Sequence, residues 1–271
     1  MLRSLAAFTS LVVAVGPAGA QQAACPIGTL PAYAHNDYAN TRPLADALTL
    51  GFRGVEVDVF LVDGELRVGH DRRSAHGSAT FEWLYLAPLR DVLARCGSLR
   101  ADGHSFLLTV ELKEESEATY VALLDVVARH RVLLVASATS ATGRASAEPA
   151  VKIVLVGWHP HPTEMNEHVD SLFGIQHRLS DPSPQGALDA RVRLLSLDYG
   201  KTMGRWWVTA TARRRWLAAL RAVKTSVPGR LLRVHNVPAD AGVYALLLAA
   251  GVDLVGSTQL DATRRLLSAA P

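Results

Sequence analysis

The run Phe106-Leu107-Leu108-Thr109-Val110-Glu111-Leu112-Lys113 decides the fold. It is almost continuously apolar until the charged Glu111 and Lys113 at its end. Such a run suits a strand covered on both faces, as in a parallel sheet. Comparable runs recur near 31–36, 54–62, 151–158, 173–178, 194–199, 231–236 and 252–256. Helical periodicity lies between most of them, at 43–50, 82–95, 116–130, 211–224, 240–249 and 259–268. Eight strands joined by helical crossovers predict an α/β fold, a closed (β/α)8 TIM barrel. An open doubly wound sheet is the alternative, but no Gly-rich phosphate loop follows the first strand. Val62-Asp63-Gly64-Glu65 reads as a hairpin turn, with 65–70 as a short returning strand. Ser137 to Ala147, rich in small residues, reads as a surface loop.

The start of the chain reads as a leader. Arg3 supplies a positive charge, Leu5 to Val15 is apolar, and Ala18-Gly19-Ala20 is a small-residue cleavage site. The apolar run is too short to span a bilayer. The expectation is therefore a signal peptide over 1–20, a single barrel domain over 21–271, and a secreted or periplasmic protein. Cys25 and Cys96 then remain. Their spacing fits no zinc pattern. Cys25 lies just before the first strand and Cys96 near the end of the helix after the second, both at the bottom of a barrel. Export makes a disulfide between them permissible. The formal charge of +3 is too mild to argue for nucleic acid. Arg213-Arg214-Arg215 reads as a solvated helix face. Nothing after the leader is built to cross a membrane, which leaves peripheral contact at most.

The chemistry concentrates between residues 34 and 113. Ala34-His35-Asn36-Asp37-Tyr38 ends the first strand, Val55-Glu56-Val57-Asp58-Val59 lies in the second, and Gly69-His70-Asp71 follows the hairpin. Glu111-Leu112-Lys113 ends the third. Barrel enzymes place their sites at these carboxyl ends. If Val55, Val57 and Val59 face the helices, alternation turns Glu56 and Asp58 into the barrel. Glu111 falls at an equivalent height. Buried like charges are costly unless a cation sits among them, and oxygen ligands suit Mg²⁺ or Ca²⁺ rather than zinc. Ion pairing with Lys113 or a nearby arginine is the alternative; it explains one carboxylate better than three. His35 and His70 flank the cluster as the pair that acid–base chemistry on a phosphodiester needs, and Lys113 adds a second positive charge. Trp158, Arg178, Asp198, Arg233 and His235 sit at later strand ends as candidate substrate contacts, with core packing or surface pairing as the alternative for each. His159-Pro160-His161 reads as a rim loop, and Trp206-Trp207 as the start of a helix or a lipid-facing rim.

His35, Glu56, Asp58, His70, Glu111 and Lys113 together resemble the signature of glycerophosphodiester phosphodiesterases. That resemblance implies two histidines in acid–base work and carboxylates holding one divalent cation. His35-Asn36-Asp37-Tyr38 departs from that family's His-Arg and is closer to the His-Asn-Thr-Tyr of eukaryotic phosphoinositide-specific phospholipase C. There the asparagine is a metal ligand, which makes Asn36 a candidate fourth ligand here. A resemblance over nearly the whole mature chain is to the phospholipase-C-like family named for altered mitochondrial inheritance in fungi. It is carried by residues 34–38, Arg42-Pro43-Leu44, Val55 to Asp71, Leu232-Arg233-Val234, Pro238 and Gly251-Val252-Asp253. His235 stands where that family usually has an aromatic residue.

These readings imply a metal-dependent phosphodiesterase acting on a small-molecule or lipid phosphodiester, a glycerophosphodiester or a phospholipid head group. The same fold also supports a cyclising, lyase-type phospholipase. A silent barrel that binds a phosphorylated ligand is the reading from another class, and it gives no physical reason to keep both histidines, three carboxylates and Lys113 together.

Overall fold

The computed structural model describes residues 24–26, 28–135, 148–161, 165, 173–179, 188–203 and 209–268. Alternation along β2 (Phe52–Val62) sets the architecture. Val55, Val57 and Val59 are fully buried in the main hydrophobic core with residues of the surrounding helices. The intervening Glu56 and Asp58 point into the barrel, as a period of two requires. Around the ring run β1 (Leu30–Ala34), β2, β4 (Phe106–Leu112), β5 (Val151–Gly157), β6 (Phe173–Arg178), β7 (Val192–Asp198), β8 (Leu231–His235) and β9 (Leu254–Ser257). All these pairings are parallel, and β9 pairs with β1 to close the barrel. The closed eight-stranded barrel expected from the sequence is thus the fold.

β3 (Glu65–Val68) is the one antiparallel strand among the described residues, and it folds back on the end of β2. The turn between them has positive φ at both Asp63 (52°) and Gly64 (82°), the backbone whose twist matches a two-residue hairpin. Eight α-helices are described: α1 (Ala45–Leu50), α2 (Arg72–Ala75), α3 (Ala87–Cys96), α4 (Glu117–Arg129), α5 (Tyr199–Met203), α6 (Ala210–Ser226), α7 (Ala241–Ala249) and α8 (Leu260–Ser268). None is long and apolar enough to cross a membrane.

Two details depart from the sequence reading. The single helix expected over 82–95 begins as a π-helical turn, Glu82–Leu86, before α3. Pro88 has no N–H to return to residue 84, and the chain takes a wider turn with the Ala87 N–H on Glu82 O. The short α2 was not expected. Asp71 caps it, accepting from Ser74 N at 2.8 Å, while its own N–H donates to Ser74 Oγ. The expected leader, the Ser137–Ala147 loop and Trp206-Trp207 lie outside the described residues.

Inside the barrel, Tyr33, Leu107, Val154, Leu194 and Leu254 form a separate apolar layer. The Tyr33 hydroxyl is hydrogen-bonded to Thr109 Oγ1 just above it. Such a filled interior gives the polar groups nearer the carboxyl ends a rigid floor.

Cys25 and Cys96 are joined by a disulfide, with a Cα separation of 5.6 Å. It ties the segment before β1 to the end of α3. Because it closes a long loop, Cys96→Ser is expected to lower unfolding stability by ~2–4 kcal/mol. Denaturant titration of the two proteins measures this, and thiol titration of the unreduced parent should find no free cysteine. Equal stabilities together with titratable thiols would show that the bond does not form.

Candidate active site

The site is built upward from Arg233. Its side chain is only 2% exposed, and its guanidinium lies 4.7 Å over the Tyr33 ring. It donates to Glu56 Oε2 at 3.1 Å, Ser196 Oγ at 3.1 Å and Gln176 Oε1 at 2.9 Å. Burial works against its charge, but Glu56 and Tyr33 together outweigh burial and raise the pKa. Of the readings open for Arg233, substrate contact or core packing, the structure shows the buried one. It is an interior cation beneath the carboxylates. For Glu56, burial alone would raise the pKa; Arg233 and then His35 reverse this and lower it.

One level up, ligand atoms of Glu56, Asp58 and Glu111 all lie within 4.8 Å of one another. The pairing of β2 with β4 sets Asp58 directly opposite Glu111. Asp58 is fully buried and serves several donors through one oxygen. Its Oδ2 accepts from the Tyr38 hydroxyl at 2.8 Å and lies 3.2 Å from His70 Nδ1 and 3.5 Å from Lys113 Nζ. Its Oδ1 is buried without a hydrogen-bond partner. Lys113 Nζ also stands 3.7 Å from Glu111 Oε1. Burial and the neighbouring Asp58 push the Glu111 pKa up, against the pull of Lys113. Gly157, with φ +71°, makes room for Glu111: a Cβ there would stand 3.2 Å from Glu111 Oε1.

Ion pairing and a metal site are thus not exclusive here. The pairs to Arg233 and Lys113 exist, yet the three carboxylates still converge and one oxygen is left without a partner.

The histidines reach the cluster from opposite sides in sequence. His35, one residue past β1, has Nε2 3.6 Å from Glu56 Oε2, and burial lowers its pKa. His70 is carried back by the hairpin; the Gly69 N–H donates to Asp58 O at 3.1 Å. A side chain at Gly69 would collide with α2, which the Asp71 cap sets against it. The His70 side chain is 67% exposed, so its ring is anchored at Nδ1 and otherwise faces solvent.

Asp37 holds the intervening loop. Fully buried, it accepts from Leu44 N at 2.6 Å and the Tyr85 hydroxyl at 3.0 Å, and burial raises its pKa to about 7. Asn36 takes left-handed backbone, φ 50° and ψ 49°, so simple strand alternation does not apply to it.

The remaining expected contacts divide. His235 packs edge-on to His35, with ring centroids 5.5 Å apart. Its Nε2 is 3.7 Å from Asp198, and burial, Arg233 and His35 lower its pKa to about 4. Asp198 accepts from Asn236 Nδ2 at 2.9 Å. Trp158 and Arg178 line a cleft of about 570 Å³ with Glu111, Lys113, Gly157 and Gln176. His159 bonds its neighbouring Pro160 carbonyl and joins no cluster of potential metal ligands among the described residues. Sequence reasoning did not assign Tyr38, Asp37, Ser196 or Gln176. Tyr38 stood in the quoted string, and the period of two along β6 and β7 turns Gln176 and Ser196 inward.

The parallel barrel thus carries acidic groups, imidazoles and a lysine together at the carboxyl ends of its first strands. Residues 21–169, more than half of the chain, match the AIM6-like phosphodiesterase domain. The chain belongs to this family. It is 36% identical over 72 residues to the altered inheritance of mitochondria protein 6 homolog of Arthroderma benhamiae, covering 24% of this chain and 23% of that one. It is 42% identical over 64 residues to altered inheritance of mitochondria protein 6 of Lachancea thermotolerans, covering 22% and 15%. The matched stretch spans less than a quarter of the length of either curated relative. Among solved structures, a glycerophosphodiester phosphodiesterase from Parabacteroides distasonis shares the fold with TM-score 0.56 and 15% identity, over 89% of this chain and 98% of that one. An Oleispira antarctica phosphodiesterase, solved with its product sn-glycerol-3-phosphate, gives TM-score 0.50 and 16% identity, over 88% and 96%.

Arg233→Gln is expected to lower stability by ~3–5 kcal/mol, because it leaves Glu56 buried without its cation. Denaturant unfolding measures the loss. An unchanged midpoint would mean that Arg233 is not the counter-charge of Glu56.

Proposed function

We propose that this chain is an exported, divalent-cation-dependent phosphodiesterase that cleaves a glycerophosphodiester or a phospholipid head-group diester. The observation that carries this is the convergence of Glu56, Asp58 and Glu111 between two histidines and Lys113, with Asp58 Oδ1 buried and unpartnered. A buried oxygen without a donor is costly unless something positive meets it. An all-oxygen donor set fits Mg²⁺ or Ca²⁺. Glu56, Asp58 and Glu111 would hold the ion, with Asn36 as the further candidate, and when bound it would offset charge on the phosphoryl oxygens. The disulfide supports export, since such bonds persist in oxidising compartments.

The residues divide the proton work. Burial lowers the His35 pKa and so favours its neutral form, which takes the proton of the attacking hydroxyl. As the new P–O bond forms, the bond to the leaving oxygen breaks. His70, oriented through Nδ1 by Asp58 and Tyr38, gives that oxygen its proton from Nε2. Lys113 sets a positive charge beside the phosphate, and Trp158 and Arg178 form the wall that the head group meets.

Phosphorus NMR over a panel of glycerophosphodiesters, phosphoinositides, lysophospholipids and sphingomyelin tests this directly. Turnover should need Mg²⁺ or Ca²⁺ and stop on chelation. His35→Ala and His70→Ala should each lower it by ~10²–10⁴ while the fold survives. A cyclic phosphate signal would identify intramolecular attack. Near-parental turnover in both variants, with substrate and metal saturating, would overturn the mechanism.

A further inference from the structure

The opposite end of the barrel holds a second cavity, about 820 Å³ in volume. Its floor is apolar: Leu107, Val154 and Leu254 come from the interior layer beneath the carboxylates. Its wall is basic and includes Arg53, Arg100, Lys152 and Arg193. Two of these cations are answered within the wall. Arg100 pairs with Asp102 and donates to Ser105 O at 2.9 Å, and Lys152 lies 2.9 Å from Glu148. Those pairs engage both acids that line the cavity.

Arg53 and Arg193 have no carboxylate or hydrogen-bond partner among the described residues, and Arg53 Nε is buried without one. Arg100 feels the excess. Burial lowers its pKa, and the nearby Arg53 adds to that against the pull of Asp102.

Arg193 is there because of a bulge. The register steps from Ile175↔Val192 to Gln176↔Leu194, which leaves Arg193 as the extra residue of β7. A bulge re-aims a side chain. Here the chain of Arg193 lies across Gly174, where a Cβ would collide with it. Plain alternation would have sent it outward, opposite to Leu194. Two uncommitted guanidinium groups above an apolar floor suit a ligand with a multiply charged oxyanion and an apolar part. Guanidinium forks match phosphate oxygens in pairs, and a cavity of this size exceeds bare phosphate.

We propose that this mouth binds an organic phosphate, with its phosphoryl group on Arg53 and Arg193 and its apolar part on the Leu107, Val154 and Leu254 floor. Calorimetric titration of the full chain with phenyl phosphate, without added divalent cation, tests it. Arg193→Gln should weaken binding at least ~10-fold, the loss expected for a hydrogen bond to a charged group. Its exposed side chain makes folding of this variant safe, and an unchanged thermal midpoint checks that. Arg53→Gln should act likewise, while Lys113→Met at the other end should leave this binding intact. Inorganic phosphate should bind more weakly than phenyl phosphate. Equal binding by parent and Arg193→Gln, or loss in Lys113→Met alone, would overturn the site. Inorganic phosphate binding as tightly would overturn the role of the floor and with it the organic ligand.

Discussion

The ion pair between Arg233 and Glu56 is the interaction on which the rest of the interior depends. Three carboxylates cannot share a dry space without compensation, and Arg233 supplies the first of it from below. Its other two bonds, to Ser196 and Gln176, spread the same cation across β6, β7 and β8. Each of those strands has an inward polar residue at the height where the apolar layer ends. The pair is a boundary: hydrocarbon lies beneath it, and charge that can meet a ligand lies above it.

Asp58 is the corresponding centre on the open side. One of its oxygens serves Tyr38, His70 and Lys113, which come from three different chain segments. The arrangement orients side chains that would otherwise move freely, since His70 and Lys113 both stand where the barrel opens. Asp37 and Asp71 do comparable work one step back. The first fixes the loop after β1, and the second caps α2 and so fixes the backbone that carries His70. Asp37, Asp58 and Asp71, three acids within one short region of sequence, therefore have unlike roles, set by what surrounds each.

Much of this was legible from local pattern. The parallel strands announced themselves through continuous apolar runs, and the period of two placed Glu56, Asp58 and Glu111 on one interior face. The turn at Asp63-Gly64 specified the return of His70 through its backbone demand. What was not legible depended on distance or on irregularity. Nothing near Arg233 in sequence says that its partner is Glu56, and a position near a strand end left substrate contact and core packing both open. The bulge at Arg193 inverts the facing that alternation assigns. The π-turn before α3 follows from one missing N–H, which periodicity alone does not weigh. Asn36 stands between these cases, because its left-handed backbone breaks the alternation that would have placed it.

The hairpin of β2 and β3 brings His70 back to Asp58, only 12 residues away in sequence, whereas Arg233 lies 177 residues from Glu56. Hairpins close in microseconds, but contacts between chain ends wait for the topology to assemble. A chain that has formed β1 to β5 and not yet β8 thus carries Glu56 with no arginine beneath it. Until the last strands arrive, that carboxylate must keep its water or take up a proton. Desolvation of the interior and closure of the barrel are therefore one event. Partly closed forms are disfavoured electrostatically as well as by exposed apolar surface, and the same residue that quiets Glu56 in the finished barrel makes its assembly cooperative.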